Sequence, residues 1–102
     1  MPRKDDPRLN DTRVIRGDTR GAFYDLFPPD EAAELTIRAT LLHGLEAWIK
    51  TAGTQAAAAK VLGVTQARIS DIKRGKINNF SLDQLVRLAA RAGLHPEVSL
   101  AA

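Results

Sequence analysis

The feature that most constrains the fold is segment 55–74, where two short stretches of helical character are joined by a tight turn. Counted from the start of this segment, alanine falls at the fifth position and glycine at the ninth, and isoleucine falls at the fifteenth and the eighteenth. A small side chain, here Ala59, lets two helices cross closely, and Gly63 lets the turn adopt a positive φ without Cβ strain. Ile69 and Ile72 lie three residues apart, so they share one side of a helix. This spacing predicts a helix-turn-helix unit.

Positive charge is concentrated on the second half of this unit. The net charge of the chain is only +3, but residues 65–76 hold four cations and one anion, whereas residues 30–52 hold four anions and two cations. A charge cluster alone is often no more than a solvated helix face. Beside a helix-turn-helix unit, whose second helix can enter the DNA major groove, the cluster favours DNA binding.

Two sets of side chains are candidates for contact with DNA. The first set lies on the outward side of the second helix, where side chains reach base edges, and comprises Gln66, Ala67, Arg68, Ser70 and Asp71. The second set suits backbone phosphates, through cationic groups or helix N-termini, and comprises Thr54, Gln55, Thr65, Lys73, Arg74 and Lys76. Base contacts would give specificity, and phosphate contacts would give an affinity that falls as salt rises.

Capping signals predict the helix boundaries. A long first helix is expected from Asp30, as its cap, to about Ala52, and a break at His43–Gly44 is an open alternative. Its buried face is predicted to hold Leu35, Leu42, Leu45 and Ile49, with Leu41, Trp48 and Ala52 beside it. Three further helices are predicted: Gln55 to Leu62 capped by Thr54, Gln66 to Arg74 capped by Thr65, and one begun by the Ser81–Gln84 capping box and stopped by Gly93.

The chain divides into three parts. Residues 1–24 lack periodicity and are predicted to be a flexible arm, either a disordered tail or a segment that touches DNA or a protein. Residues 25–93 form the predicted helix-turn-helix domain, and the apolar cluster 23–27 either packs on that domain or docks a partner. Residues 94–102 are a tail in which alternating apolar residues suggest a short strand, which would need a partner such as a second copy.

Several function classes lack the residues that they need. The absence of cysteine excludes disulfides and thiolate sites, and the two histidines are too far apart in sequence to suggest a metal site. Ser70 and Asp71 have no histidine or lysine base placed nearby, and no glycine-rich phosphate loop is present. We therefore expect no enzymatic activity, no cofactor and no metal. The charged first residues predict neither a secretory signal nor a membrane anchor, which is compatible with a cytoplasmic protein, nucleoid-associated when bound to DNA.

The stretch 54–75, TQAAAAKVLGVTQARISDIKRG, resembles the Cro/repressor-like (XRE) helix-turn-helix family. The resemblance implies an all-α, lambda-repressor-like bundle of about five helices that binds a palindromic operator as a homodimer and represses transcription. It also implies that Gln55 contacts phosphate and braces Gln66, while Gln66, Ala67, Ser70 and Asp71 face bases. Relatives often carry a longer polar side chain at the position of Ala67. The next residues, 76–85, KINNFSLDQL, resemble a subgroup in which many members are antitoxins of toxin–antitoxin operons.

Two hypotheses of different classes follow. The first is a dimeric, sequence-specific repressor whose partners are double-stranded DNA, a second copy of the chain and, in the antitoxin version, a toxin protein. The second is a protein-interaction module that keeps the helix-turn-helix fold without reading DNA. Binding to a promoter fragment that weakens steeply with salt distinguishes the first from the second.

Overall fold

A computed structural model describes residues 23–100 of the chain, and the regular structure in this range is all-helical. The elements are α1 (Pro29–Thr51), α2 (Gln55–Leu62), α3 (Gln66–Lys73), a 3₁₀ turn (Ile77–Asn79) and α4 (Leu82–Arg91). Four α-helices thus lie between residues 29 and 91, where about five were expected, since the fifth element there is only a 3₁₀ turn. Residues 94–100 form no strand within this single chain. The predicted arm lies outside the described residues, apart from its last two, as does the end of the tail.

Helix α1 begins at a proline rather than at the predicted aspartate cap. Pro28 occupies the N-cap position, no side chain caps the helix, and Asp30 and Glu31 lie in the first turn. Pro29 suits the first helical position because its missing N–H would have no intrahelical partner there. The two carboxylates still favour the helix, since they lie at the positive end of its dipole.

The alternative of a break at His43–Gly44 is wrong, because α1 runs unbroken through Gly44. An interior glycine costs about 1 kcal/mol relative to alanine. Leu42 and Leu45, on either side of it, are both buried in the core, and burying each leucine is worth about 1.5–3 kcal/mol. The continuous helix is therefore favoured.

The caps predicted for the next helices are confirmed. The Thr54 hydroxyl accepts a hydrogen bond from the Ala57 amide at 3.0 Å, and the Thr65 hydroxyl accepts one from the Arg68 amide at 3.2 Å. Ser81 and Gln84 form the expected capping box at the start of α4, with both hydrogen bonds present. Short helices depend on such caps because few of their amides have intrahelical partners.

The core lies between α1, α3 and α4, with α2 packed on the last two, and it confirms most of the predicted apolar positions. Its buried residues are Leu42, Leu45, Ile49, Ala58, Ala59, Leu62, Ile69, Ile72, Phe80, Leu85 and Leu88, and Leu41, Trp48 and Ala52 pack against them. Leu35 is an exception: it is only half-buried, while its neighbour Thr36 and Ala32 are buried. The buried face at the start of α1 is therefore one residue, roughly 100°, round the helix from the prediction. Thr36 can be buried because its hydroxyl donates to the Ala32 carbonyl at 2.7 Å.

An arginine connects α4 to the end of α2. Arg91 Nη1 donates to the Leu62 carbonyl oxygen at 2.8 Å, 29 residues away in the sequence. Carbonyls in the last turn of a helix have no intrahelical partner, and a cation there also complements the helix dipole. This contact fixes α4 against the helix-turn-helix unit, and nothing in the sequence pattern predicted it.

An apolar groove of about 600 Å³ lies between α1, α4 and the tail. Helix α1 contributes Leu41 and Trp48, α4 contributes Val86, and the tail contributes Leu94 and Val98. No groove residue belongs to segment 54–76. None of the helices in the described part of the chain is long and apolar enough to cross a membrane.

Replacing Arg91 with alanine is expected to lower the free energy of unfolding by about 1–2 kcal/mol, because a charge-assisted hydrogen bond to the end of α2 is lost. The matched control is Arg87→Ala on the same helix. Arg87 pairs with Asp83 through side chains that are 70% and 74% exposed, and such a surface pair contributes about 0.5 kcal/mol or less. Urea denaturation followed by circular dichroism measures both variants. Equal losses would show that the Arg91 contact does not stabilise the fold.

Candidate nucleic-acid interface

The candidate interface is built on α3, whose inward side is fixed by two isoleucines. Ile69 and Ile72 are fully buried, at 0% exposure, against the core formed with α1 and α2. At about 100° per residue, the direction opposite these two side chains falls between Ser70 and Asp71 and includes Ala67. The outward side of α3 is therefore set by the same packing that builds the core.

The turn between α2 and α3 sets the direction in which that outward side faces. Gly63 has φ of 69° and ψ of 36°, the left-handed conformation that the sequence predicted. The Val64 amide donates to the Ala59 carbonyl at 3.0 Å, which closes the last turn of α2. Any side chain at Gly63 would be strained by the backbone, and its Cβ would lie 3.4 Å from the Arg91 guanidinium.

The predicted base-reading residues do not all occupy equivalent positions. Gln66 and Ala67, in the first turn of α3, are exposed, and Ser70 and Asp71, one turn later, are half-buried on the same side. In helix-turn-helix units the first part of the second helix reaches the bases. These four side chains are therefore brought together on one surface, as predicted.

Arg68 is placed differently from the other four. Its guanidinium carbon lies 4.1 Å from the centre of the Phe80 ring, and its Nη1 lies 3.8 Å from Asp71 Oδ2. A guanidinium over an aromatic face is held by the ring quadrupole. Arg68 thus makes its contacts within the chain, at the edge of the outward side, and its predicted base contact stays a prediction.

The loop after α3 is tied to α3 by residues that the sequence did not single out. Asn79 Nδ2 donates to Asp71 Oδ2 at 3.3 Å, and Phe80 is buried below Arg68. An aromatic residue among polar neighbours, between the glycine that ends α3 and the serine that caps α4, was the available signal for a buried anchor. The asparagine contact carried no such signal, because it depends on the 3₁₀ turn.

The predicted phosphate contacts surround this surface. Thr54, Thr65, Lys73, Arg74 and Lys76 are exposed, and Gln55 is half-buried. None of the three cations forms an ion pair with another residue in 23–100, and exposed cations suit contact with a polyanion. The two threonine hydroxyls already accept amide hydrogen bonds as caps. No hydrogen bond joins Gln55 to Gln66 in the described chain, so the implied brace between them stays a prediction.

The same surface offers little for other chemistry. Among residues 23–100 no three His, Cys, Asp or Glu side chains lie close enough together to hold a metal ion. Exposed polar groups, small side chains and cations suit a polar, negatively charged partner.

Comparison with protein families assigns the chain to a family. Residues 22–101 match the model of a protein family described as a helix-turn-helix domain, a range that contains all four helices. No curated protein and no solved structure matches the chain significantly.

Proposed function

The chain belongs to the helix-turn-helix domain family, and from this premise we propose that it is a sequence-specific DNA-binding transcriptional regulator of the Cro/repressor-like type that acts as a repressor. The observation that carries the proposal is the outward side of α3, where polar and small side chains are followed, at the C-terminal end of the helix, by three exposed cations that form no ion pair with residues 23–100. The proposal includes no catalytic step, and it places the protein in the cytoplasm, nucleoid-associated when bound to DNA.

In this proposal α3 enters the major groove and the flanking groups hold the backbone. Gln66 has an amide that can bond two atoms of an adenine edge, and the methyl group of Ala67 can contact a thymine methyl. Lys73, Arg74 and Lys76 neutralise phosphates on the strands that border the groove, which releases counterions. The N-terminus of α2, at Thr54 and Gln55, presents free amides to a further phosphate.

Base readers and phosphate contacts are expected to respond differently to substitution. Gln66→Ala should cost about 1–3 kcal/mol on the preferred site and relax preference at one base pair. Arg74→Ala should weaken all sequences alike and reduce the slope of log affinity against log salt by about one. The matched control is Arg87→Ala, which removes a cation on α4 outside segment 54–76. It should leave both the base-pair preference and the salt slope unchanged.

Fluorescence anisotropy with the protein's own promoter region and with random DNA, each over a series of salt concentrations, measures these effects. Equal affinity for the promoter and for random DNA at moderate salt would contradict the repressor function. If the chain showed this equal affinity and bound another protein through its helix-turn-helix domain, the interaction-module hypothesis would replace the repressor function.

We propose further that the protein binds its operator as a homodimer. The apolar groove supports this, because it lies outside segment 54–76 and is bordered by a tail that leaves apolar side chains in solvent. Val98 is 57% exposed and Leu100 is 93% exposed. A second copy seated there would cover these side chains and leave both α3 helices free to occupy half-sites about 34 Å apart.

Val98→Lys is expected to convert the dimer to a monomer, because it places a charge in the proposed interface. Val61→Lys is the matched control, since Val61 is a valine of similar exposure, 52%, on α2 and away from the groove. Analytical ultracentrifugation of the full chain should show twice the chain mass for the wild type and the control. A monomeric wild type at micromolar concentration would contradict this part of the proposal.

The narrowest version of the proposal is that the regulator is the antitoxin of a type II toxin–antitoxin operon. Two observations support it: the resemblance of residues 76–85, and an apolar cluster before α1 in which Tyr24, Leu26 and Phe27 are exposed. Exposed apolar side chains of this kind mark binding sites for other proteins.

The neighbouring reading frame tests the antitoxin version. A short frame for a basic protein should lie beside this gene, should arrest growth when expressed alone, and should co-purify with this chain when both are expressed. Leu26→Asp should reduce the co-purified amount. A solitary gene, or a neighbour without effect on growth, would contradict the antitoxin version and leave DNA binding untouched.

A further inference from the structure

We infer that Asp71 selects a cytosine in the operator by accepting a hydrogen bond from its exocyclic amine, and that Arg68 and Asn79 are positioning residues that hold the carboxylate for this contact. The inference rests on the proposed DNA binding and deepens it by assigning one base to one oxygen atom.

Both internal contacts of the Asp71 carboxylate are made to the same oxygen. Asn79 Nδ2 donates to Oδ2 at 3.3 Å, and Arg68 Nη1 lies 3.8 Å from Oδ2. No hydrogen bond to Oδ1 is found within residues 23–100. A carboxylate has lone pairs on both oxygens, so within the described residues Oδ2 is engaged and Oδ1 remains able to accept a hydrogen bond.

The position of Asp71 on α3 lets a base reach that oxygen. Ala67 lies one turn earlier, on the same side of the helix, and its methyl group is the smallest side chain that a helix surface carries apart from glycine. Ser70, the other neighbour toward the centre of the outward side, is also small. The backbone of α3 can therefore lie close to the groove floor at this point, where a longer side chain at Ala67 would hold the base away from Asp71.

Arg68 makes a carboxylate acceptable near the DNA backbone. An unpaired carboxylate on this surface would be repelled by phosphates, whereas the guanidinium beside Oδ2 offsets that charge. The Phe80 ring below Arg68 is buried and so holds the guanidinium in place from the core side. Arg68 thus acts on the base through Asp71 rather than by contact with the base itself.

The groove edges of the four bases explain the choice of cytosine. Guanine and thymine present acceptor oxygens to the major groove, which repel a carboxylate. Adenine presents an amine beside the acceptor N7, whereas cytosine presents its N4 amine without a neighbouring acceptor on the same base. A single acceptor oxygen therefore favours cytosine over adenine, and both over guanine and thymine.

Selection of bound sequences from a random duplex library, with the purified full chain, tests the inference. The wild type should enrich cytosine at one position of each half-site. Asp71→Asn, which keeps the shape of the side chain, should change the ratio of cytosine to adenine there by about ten-fold in favour of adenine, since an asparagine amide bonds both N6 and N7. Asp83→Asn, an exposed aspartate on α4, is the matched control and should leave the whole preference profile unchanged.

The positioning role has its own readout. Arg68→Gln and Asn79→Ala should weaken the cytosine preference at that position and leave the preferences at the other positions unchanged. A merely structural role would instead lower affinity for every sequence and leave the profile intact. Circular dichroism at the assay temperature confirms that each variant is folded.

A change in the DNA tests the same contact without altering the protein. Replacing the selected cytosine by 2-pyrimidinone, which lacks the exocyclic amine, should weaken wild-type binding by about ten-fold and Asp71→Asn binding by far less. If the wild type selects specific sequences but the base replacement weakens wild-type and Asp71→Asn binding equally, the cytosine assignment is wrong and the DNA-binding proposal stands. If the wild type enriches no sequence, the DNA-binding proposal fails, and the assignment fails with it.

Discussion

The close crossing of α2 and α3 is the constraint on which the rest of the structure depends. The crossing is possible because Ala59 is small and because Gly63 takes a positive φ that strains other residues. Together with the packing of α1 on α3, it leaves Ile69 and Ile72 fully buried, and this fixes which side of α3 faces solvent. A longer side chain at the crossing, or a strained turn, would change the orientation of α3. The outward side of α3 would then face another direction, whatever residues that side carried.

Because the outward side of α3 is fixed in this way, residues at different positions along the helix have different surroundings. The first turn exposes Gln66 and Ala67, and just past the end of the helix Arg74 and Lys76 are exposed cations that form no ion pair with residues 23–100. Arg68, between them, is held by Phe80 and Asp71 instead. The two arginines thus differ in their surroundings, since Arg68 contacts Phe80 and Asp71 whereas Arg74 is exposed at the end of the helix, although the two look alike in the sequence.

The parts of the fold that depend on local chemistry could be predicted from the sequence, and the parts that depend on distant contacts could not. The caps at Thr54, Thr65 and Ser81 and the turn at Gly63 were found because each needs a particular residue type at a particular place. Leu35 was expected in the core because periodicity locates an apolar face but not the partner that covers it. For the same reason the sequence predicted which residues lie on the outward side of α3, but not that Asn79 and Phe80 contact the edge of that side.

Helix α4 contacts the helix-turn-helix unit and also lines the apolar groove. Its Val86 and Ala89 line the groove, and its Arg91 is bonded to the end of α2, directly before the turn that aims α3. The orientation of the groove relative to α3 is therefore set by α1, which lines the groove and packs on α3, and by α4, which is bonded to the end of α2. In a homodimer formed through the groove, the distance between the two α3 helices would follow from this geometry, and the spacing of the operator half-sites would follow from that distance.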